Sequence, residues 1–246
     1  MNPGTLGEAQ KLFDAIQKGV RDLKSKKDLT IAACPPFPFL LHLKSKILNL
    51  KLGSQDCFWE NEGAYTGEVS PSMLKEIGCE YVIFGHSERR IHLGETDGMI
   101  AKKVKAALEI GLNVVLCIGE NLDQRKAGQT KEVLESQLEA DLGGIRNLKF
   151  EIKNLFIAYE PVWAISGFNG KAASVQDIAQ ATGWIRGALK KKFGKEGELL
   201  FVIYGGSVKS ESVQEYLWGG GINGFLVGSA SLDPHEFFEI IKQCQC

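Results

Sequence analysis

One pattern constrains this sequence more than any other: short apolar runs of four to six residues alternate with longer stretches of helical periodicity. The runs are Leu29–Ala33, Lys51–Ser54, Tyr81–Phe84, Asn113–Ile118, Leu155–Tyr159, Leu200–Tyr204 and Gly224–Val227. Ahead of the first, Ala9, Leu12, Phe13, Ile16, Val20 and Leu23 recur every three or four positions, which predicts one helical face. Later stripes are Phe39–Ile47, then Ile100, Val104, Ala107 and Leu108, then Val133, Leu134, Leu138 and Leu142, and finally Ile178, Ile185 and Leu189 within a helix over Ser174–Phe193. Strands that alternate with helices form βα units around a parallel sheet. A sheet covered on both faces wants strands that are apolar nearly throughout, as these are.

The chain has 246 residues, close to the roughly 250 of a closed (β/α)8 barrel. No Pro/Ser-rich linker, charge block or repeat divides it, so residues 1–246 read as a single domain. The count of strands is the anomaly. Seven runs are present and the chain opens on a helix, whereas an eight-stranded barrel opens on a strand. Either a strand lies upstream of Met1 or the sheet is open.

Charge narrows the partners. Lysines and arginines number 29 against 30 acids, a net charge of −1, which argues against a broad surface for nucleic acid or anionic membrane. A local positive pocket for one small anion remains compatible. No apolar run approaches the roughly 18 residues of a membrane span, and the opening residues lack a signal-peptide core. Six scattered cysteines form no CxxC pair; Cys79 and Cys117 read as small core residues, and Cys244 with Cys246 as a frayed end. The set suggests a reducing compartment, hence a cytoplasmic protein.

In a barrel, chemistry gathers where the strands end. After Tyr81–Phe84 comes Gly85-His86-Ser87-Glu88-Arg89-Arg90. His86 stands where a helix is about to start, and backbone N–H groups there favour a neutral imidazole that can donate to a carbonyl oxygen. A satisfied structural histidine is the competing reading, and the spacing of His86, Glu88 and His92 fits no familiar metal site. After Leu155–Tyr159 comes Glu160-Pro161-Val162-Trp163-Ala164. A carboxylate among apolar and aromatic neighbours is a candidate general base whose pKa burial raises; an ion-paired structural Glu is the alternative. The next stretch, Ile165 to Ala173, is small and glycine-bearing and suits a lid, but its pattern is not that of a Walker loop. Glu120, after Cys117-Ile118-Gly119, reads as a structural salt-bridge residue. Gly205-Gly206-Ser207-Val208 and Gly228-Ser229-Ala230-Ser231 follow the last two runs. Together they offer bare N–H groups to one phosphate, where barrels commonly hold it.

Tyr65-Thr66-Gly67-Glu68-Val69-Ser70-Pro71, Gly85-His86-Ser87-Glu88-Arg89-Arg90, Cys117-Ile118-Gly119-Glu120, Tyr159-Glu160-Pro161-Val162-Trp163-Ala164-Ile165, Tyr204-Gly205-Gly206-Ser207-Val208 and Leu226-Val227-Gly228 occur in one order. With them the chain resembles the triosephosphate isomerases from Met1 to about Lys242. The resemblance implies a TIM barrel that interconverts dihydroxyacetone phosphate and D-glyceraldehyde 3-phosphate through an enediolate, in glycolysis and gluconeogenesis. It implies Glu160 as the base and His86 as the neutral electrophile, a division of labour established for this family. It implies Ser166, Ser207, Gly228 and Ser229 as phosphate ligands, Ser87, Glu88 and Thr66 as supporting residues, and no cofactor or metal. The Phe58-to-Thr66 loop resembles the family's loop that reaches into a partner, which implies a homodimer.

Three departures accompany the resemblance. The family's first strand ends in Asn-x-Lys followed by Met-Asn, and this sequence starts at that Met as Met1-Asn2. A misplaced start codon or a truncated gene is the expectation, with a genuine seven-strand variant as the alternative. Loss of one preorganised electrostatic group commonly lowers rates about 10²–10³-fold, so an inactive phosphate-binding barrel is the competing function. The lid is longer than the family pattern by Phe168-Asn169. Ser229 stands where a Gly is frequent, at a penalty of about 1 kcal/mol if the position requires a left-handed backbone.

Overall fold

The computed structural model describes residues 1–21, 29–45, 50–145, 152–165 and 171–245. Helix α1 (Leu6–Arg21) leads to β1 (Ala32–Ala33), α2 (Phe37–Lys44), β2 (Lys51–Ser54), α3 (Pro71–Ile77), β3 (Tyr81–Phe84) and the short α4 (Ser87–His92). Next come α5 (Asp97–Glu109), β4 (Asn113–Ile118), α6 (Leu122–Lys126), α7 (Thr130–Asp141), β5 (Leu155–Tyr159), α8 (Val175–Phe193), α9 (Lys195–Glu198), β6 (Phe201–Tyr204), α10 (Val213–Gly219) and α11 (Pro234–Gln243).

Helix starts follow local chemistry. Ser70 accepts from Met73 N ahead of Pro71, Thr96 accepts from Met99 N, and Asn121 with Gln124 and Ser174 with Asp177 form reciprocal capping boxes. Each such cap contributes about 1 kcal/mol. Helix α2 begins two residues before the predicted Phe39, because a first helical turn tolerates Pro38 without a missing N–H. The end of that predicted stretch, like Leu23 of the first stripe, lies outside the described residues.

The six strands among the described residues are all parallel, and each pairs with its neighbour in sequence, in the order β1-β2-β3-β4-β5-β6. A doubly wound sheet reverses its order at a switch point; a monotonic order is that of barrel staves. Alternation within the strands agrees. Ile83, Val115, Cys117 and Ala158 form one small cluster with Tyr81, Phe156, Ile203 and Leu226. The intervening Val82, Phe84, Val114, Leu116, Ile157, Tyr159, Val202 and Tyr204 join the larger cluster under the helices. The first set faces the barrel axis and the second the helical ring, as a period of two requires.

The seventh predicted strand is present only in outline. Phe225 bridges Tyr204, with Tyr204 N donating to Gly224 O at 3.0 Å and Leu226 N to Tyr204 O at 2.9 Å. Among the described residues β1 and this segment do not pair with each other, so the sheet has a seam between its first and last staves. Helices cover that seam. Leu12 and Ile16 of α1 pack with Phe237 and Ile241 of α11, joined by Leu29, Ile31 and Val227. Gly19 lets α1 approach α11 closely, since a Cβ there would sit 2.7 Å from the Phe238 ring unless that ring shifted.

Candidate active site

Because neighbours in sequence are neighbours in space, the residues after β3, β4, β5 and β6 stand side by side at one end of the sheet. Between β3 and α4 the chain turns at Gly85, whose φ of 69° suits glycine. His86 then caps α4: its Nδ1 accepts from Glu88 N at 3.4 Å. That leaves Nε2 to carry the ring proton, and Nε2 lies 2.9 Å from Glu160 Oε1. The second carboxylate oxygen, Oε2, accepts from Ser87 N at 3.0 Å. Glu160 is 3% exposed, so its carboxylate is desolvated yet held on both oxygens.

Two influences oppose each other at His86. Burial lowers its proton affinity, but the hydrogen bond and charge of Glu160, with Glu88 behind, outweigh it and raise the pKa above the usual imidazole value. The start of α4 and the Glu160 carboxylate thus act on this ring in opposite directions. A raised native pKa adds stability below the unfolded value that is lost as pH climbs through the native one. An NMR titration is expected to place His86 above an ordinary imidazole in the wild type and below it in Glu160→Gln, where burial acts against a weaker opposing charge. No difference between the two would remove Glu160 as the cause.

Glycine 119 lets β4 and β5 end so close together: a Cβ there would lie 2.0 Å from Glu160 O. Glu120 is fully buried and accepts from Trp163 Nε1 at 2.7 Å and from Tyr159 OH at 3.2 Å. Its only cationic neighbour among the described residues is Arg125, at 3.9 Å. The expected salt-bridge role is thus mainly a hydrogen-bonding one. Arg125 stacks 4.0 Å above the Trp163 ring and pairs with Asp177 at 2.7 Å, which secures the 3-10 turn Val162–Ala164 after Glu160.

The Gly85 turn is fixed from behind. Arg90 Nε donates to Gly85 O at 2.7 Å, and its guanidinium reaches Asp141 Oδ2 at 2.7 Å and also Asp97. Arg89 of α4 pairs with Asp56 at 2.7 Å, and Lys103 Nζ contacts both Asp56 oxygens at 2.8 Å and Glu95. Asp56, Glu95 and Lys103 are all buried. Burial lifts the Asp56 carboxyl to about 6 despite its cations. Asp56 and Asp141 lie far in sequence from the cations they meet, so no local signal marks the set.

Ser207 and Ser229 line one cavity of about 480 Å³, whose walls include neither Glu160 nor His86. Ser207 N–H is engaged with Ala164 O at 3.0 Å, and an anion taking that donor must displace it. Gly228 has a φ of −81°, and Ser229 opens a right-handed 3-10 turn, Ser229–Leu232. No left-handed residue is needed at 229, so the expected penalty for Ser does not arise. Ser87 lies within the site; Glu88 is mostly exposed, with Oε2 3.8 Å from His86 Nδ1; Thr66 stands exposed on the loop before α3. Ser166 and the Phe168-Asn169 insertion lie outside the described residues.

Comparison with known proteins gives a consistent answer. A family model described as triosephosphate isomerase matches residues 1–244. The triosephosphate isomerase of Thermoanaerobacter sp. (strain X514) is 45% identical over 241 residues, covering 97% of this chain and 94% of the relative. That of Carboxydothermus hydrogenoformans is 45% identical over 230 residues, covering 92% and 90%. The crystal structure of triosephosphate isomerase from Bartonella henselae superposes with a TM-score of 0.86 at 35% identity, covering 98% of this chain and 96% of that one. The monotonic parallel sheet is therefore part of a TIM barrel, and this chain belongs to the triosephosphate isomerase family.

Proposed function

We propose that this chain interconverts dihydroxyacetone phosphate and D-glyceraldehyde 3-phosphate, with Glu160 as the base and His86 as the electrophile. The observation that carries this reading is the pairing of Glu160 Oε1 with His86 Nε2 at 2.9 Å, at the same end of the sheet as the two glycine-serine turns. Glu160 takes the proton from the carbon beside the carbonyl and returns it to the neighbouring carbon. His86 donates its Nε2–H to the carbonyl oxygen as negative charge grows there. For both to act, the substrate enters between them and replaces their mutual contact. Its phosphate is held by N–H groups of Ser207, Gly228 and Ser229, after Ala164 O yields the first. Ser87 N–H keeps the carboxylate aimed, and Glu88 and Thr66 complete the proposed set, with Ser166 as a further ligand from the lid.

Residues 1–246 act as one domain in this reading, in glycolysis and gluconeogenesis. A homodimer fits the exposed apolar side chains Phe37, Leu41, Tyr65, Met73 and Leu93, which come from α2, the loop before α3, α3 and the end of α4. A cytoplasmic setting fits the free thiols of Cys34, Cys57, Cys79, Cys117 and Cys244.

The test is an assay of the purified chain in D2O. Interconversion of the two trioses with deuterium entering at the carbon beside the carbonyl is expected, from a species of about twice the 27.0 kDa monomer mass. Isotope incorporation no faster than in buffer would refute the assignment of the reaction.

A further inference from the structure

We propose that Glu236 is a positioning residue for the phosphate end of this pocket, holding the Gly205–Lys209 turn against the Gly228–Ser229 turn. This rests on the function proposed above and adds a residue to it. The sheet ties β6 to the segment after α10 by backbone hydrogen bonds from Asn223 N to Val202 O, Tyr204 N to Gly224 O and Leu226 N to Tyr204 O, all of them short of the two turns themselves. Beyond the strand ends, Glu236 supplies a second tie. Its Oε1 accepts from Ser210 N at 2.8 Å and its Oε2 from Ser210 Oγ at 3.1 Å. Both carboxylate oxygens are thus committed to the residue that immediately follows the first turn.

Glu236 is itself rigidly connected to the second turn. Ser231 is buried, and both its N and its Oγ donate to Gly228 O, at 2.9 and 2.6 Å. Asp233 caps α11, accepting from His235 N at 2.9 Å and Glu236 N at 3.3 Å. A short run of fixed chain therefore leads from Gly228 to Glu236, which reaches back to Ser210. Ser207, Ser210, Ser229 and Glu236 line one cavity. The position of one donor set relative to the other follows from this link.

Charge and geometry pull in opposite directions here, and that makes the proposal separable by mutation. As a charge, a carboxylate on this cavity weakens binding of a phosphate. As a geometric tie, it aligns the N–H groups that bind one. Glu236→Gln removes the charge and keeps the tie, because the amide oxygen can accept from Ser210 N and the amide N–H can donate to Ser210 Oγ. Glu236→Ala removes both, and Ser210→Ala removes only the Oγ bond.

Calorimetry with glycerol 3-phosphate and with inorganic phosphate, alongside kcat and KM, reads these apart. For Glu236→Ala, affinity for both ligands is expected to fall about tenfold, and KM to rise about tenfold with kcat within about threefold. Ser210→Ala is expected to fall between it and the wild type, and Glu236→Gln to bind at least as tightly as the wild type. Wild-type affinity in Glu236→Ala, whether or not its thermal stability drops, overturns the proposal, as does a Gln variant that binds as weakly as Ala. A wild-type chain that binds neither ligand overturns the proposed function and this inference with it.

Discussion

Replacing Glu160 with Gln is expected to lower turnover by about 10³, within the range contributed by a positioned general base, while affinity for glycerol 3-phosphate stays near the wild-type value. The substitution isolates proton transfer from architecture. A glutamine can still accept from Ser87 N–H through its amide oxygen, and it occupies the same buried volume between β4 and β6. What it cannot do is take a proton from carbon. Glu160→Asp asks the complementary question, since it keeps the carboxylate and withdraws it by one methylene from the line set by Ser87 N and His86 Nε2. Misplacement by about 1 Å is enough to lose about 10²-fold, so Asp is expected to fall well below the wild type while retaining analogue binding. Steady-state kinetics with calorimetry decides the matter. Unchanged turnover in either variant would take the base role away from Glu160.

The largest effect on stability is expected at Lys103. Its ammonium is 3% exposed and lies between Asp56 and Glu95, both 5% exposed. Removing one member of a buried ionic set destabilises by about 3–5 kcal/mol, because the remaining charges lose their compensation. For a chain of this length that corresponds to a melting temperature lower by about 10 °C. Lys103→Met leaves two carboxylates facing Arg89 alone, so the native pKa of Asp56 rises further. A carboxyl raised in the native state binds more protons folded than unfolded, and stability then falls as pH rises through the interval between the two values. For Asp56 that interval already runs from its ordinary 3.8 to about 6. The deficit of Lys103→Met is therefore expected to be larger at pH 8 than at pH 5. A melting temperature within about 2 °C of the wild type, or an equal deficit at both pH values, would show that the cluster is better solvated than its burial indicates.

How much was legible beforehand varies with the distance over which each feature is decided. The α1 stripe was readable because helical periodicity is local: Ala9, Leu12, Phe13 and Ile16 are buried as their spacing predicts. Six of seven strand runs were readable for the same reason. The seventh, Gly224–Val227, meets β6 through one bridge and its two backbone hydrogen bonds and, among the described residues, has no strand on its other side. Glu160 and His86 were legible as strand-end residues, but their direct contact was not, because it joins segments remote in the chain.

The sequence by itself determined the βα alternation, the helix start at Ser174, and the residue types at each strand end. These rest on interactions within a few residues. Only the tertiary structure decided that the staves run in monotonic order, that Gly119 brings Glu160 beside its neighbours, and that Lys103 and Glu236 tie together segments remote in the chain. Such contacts join residues dozens of positions apart, and their energies come from burial and from distances that no local pattern encodes.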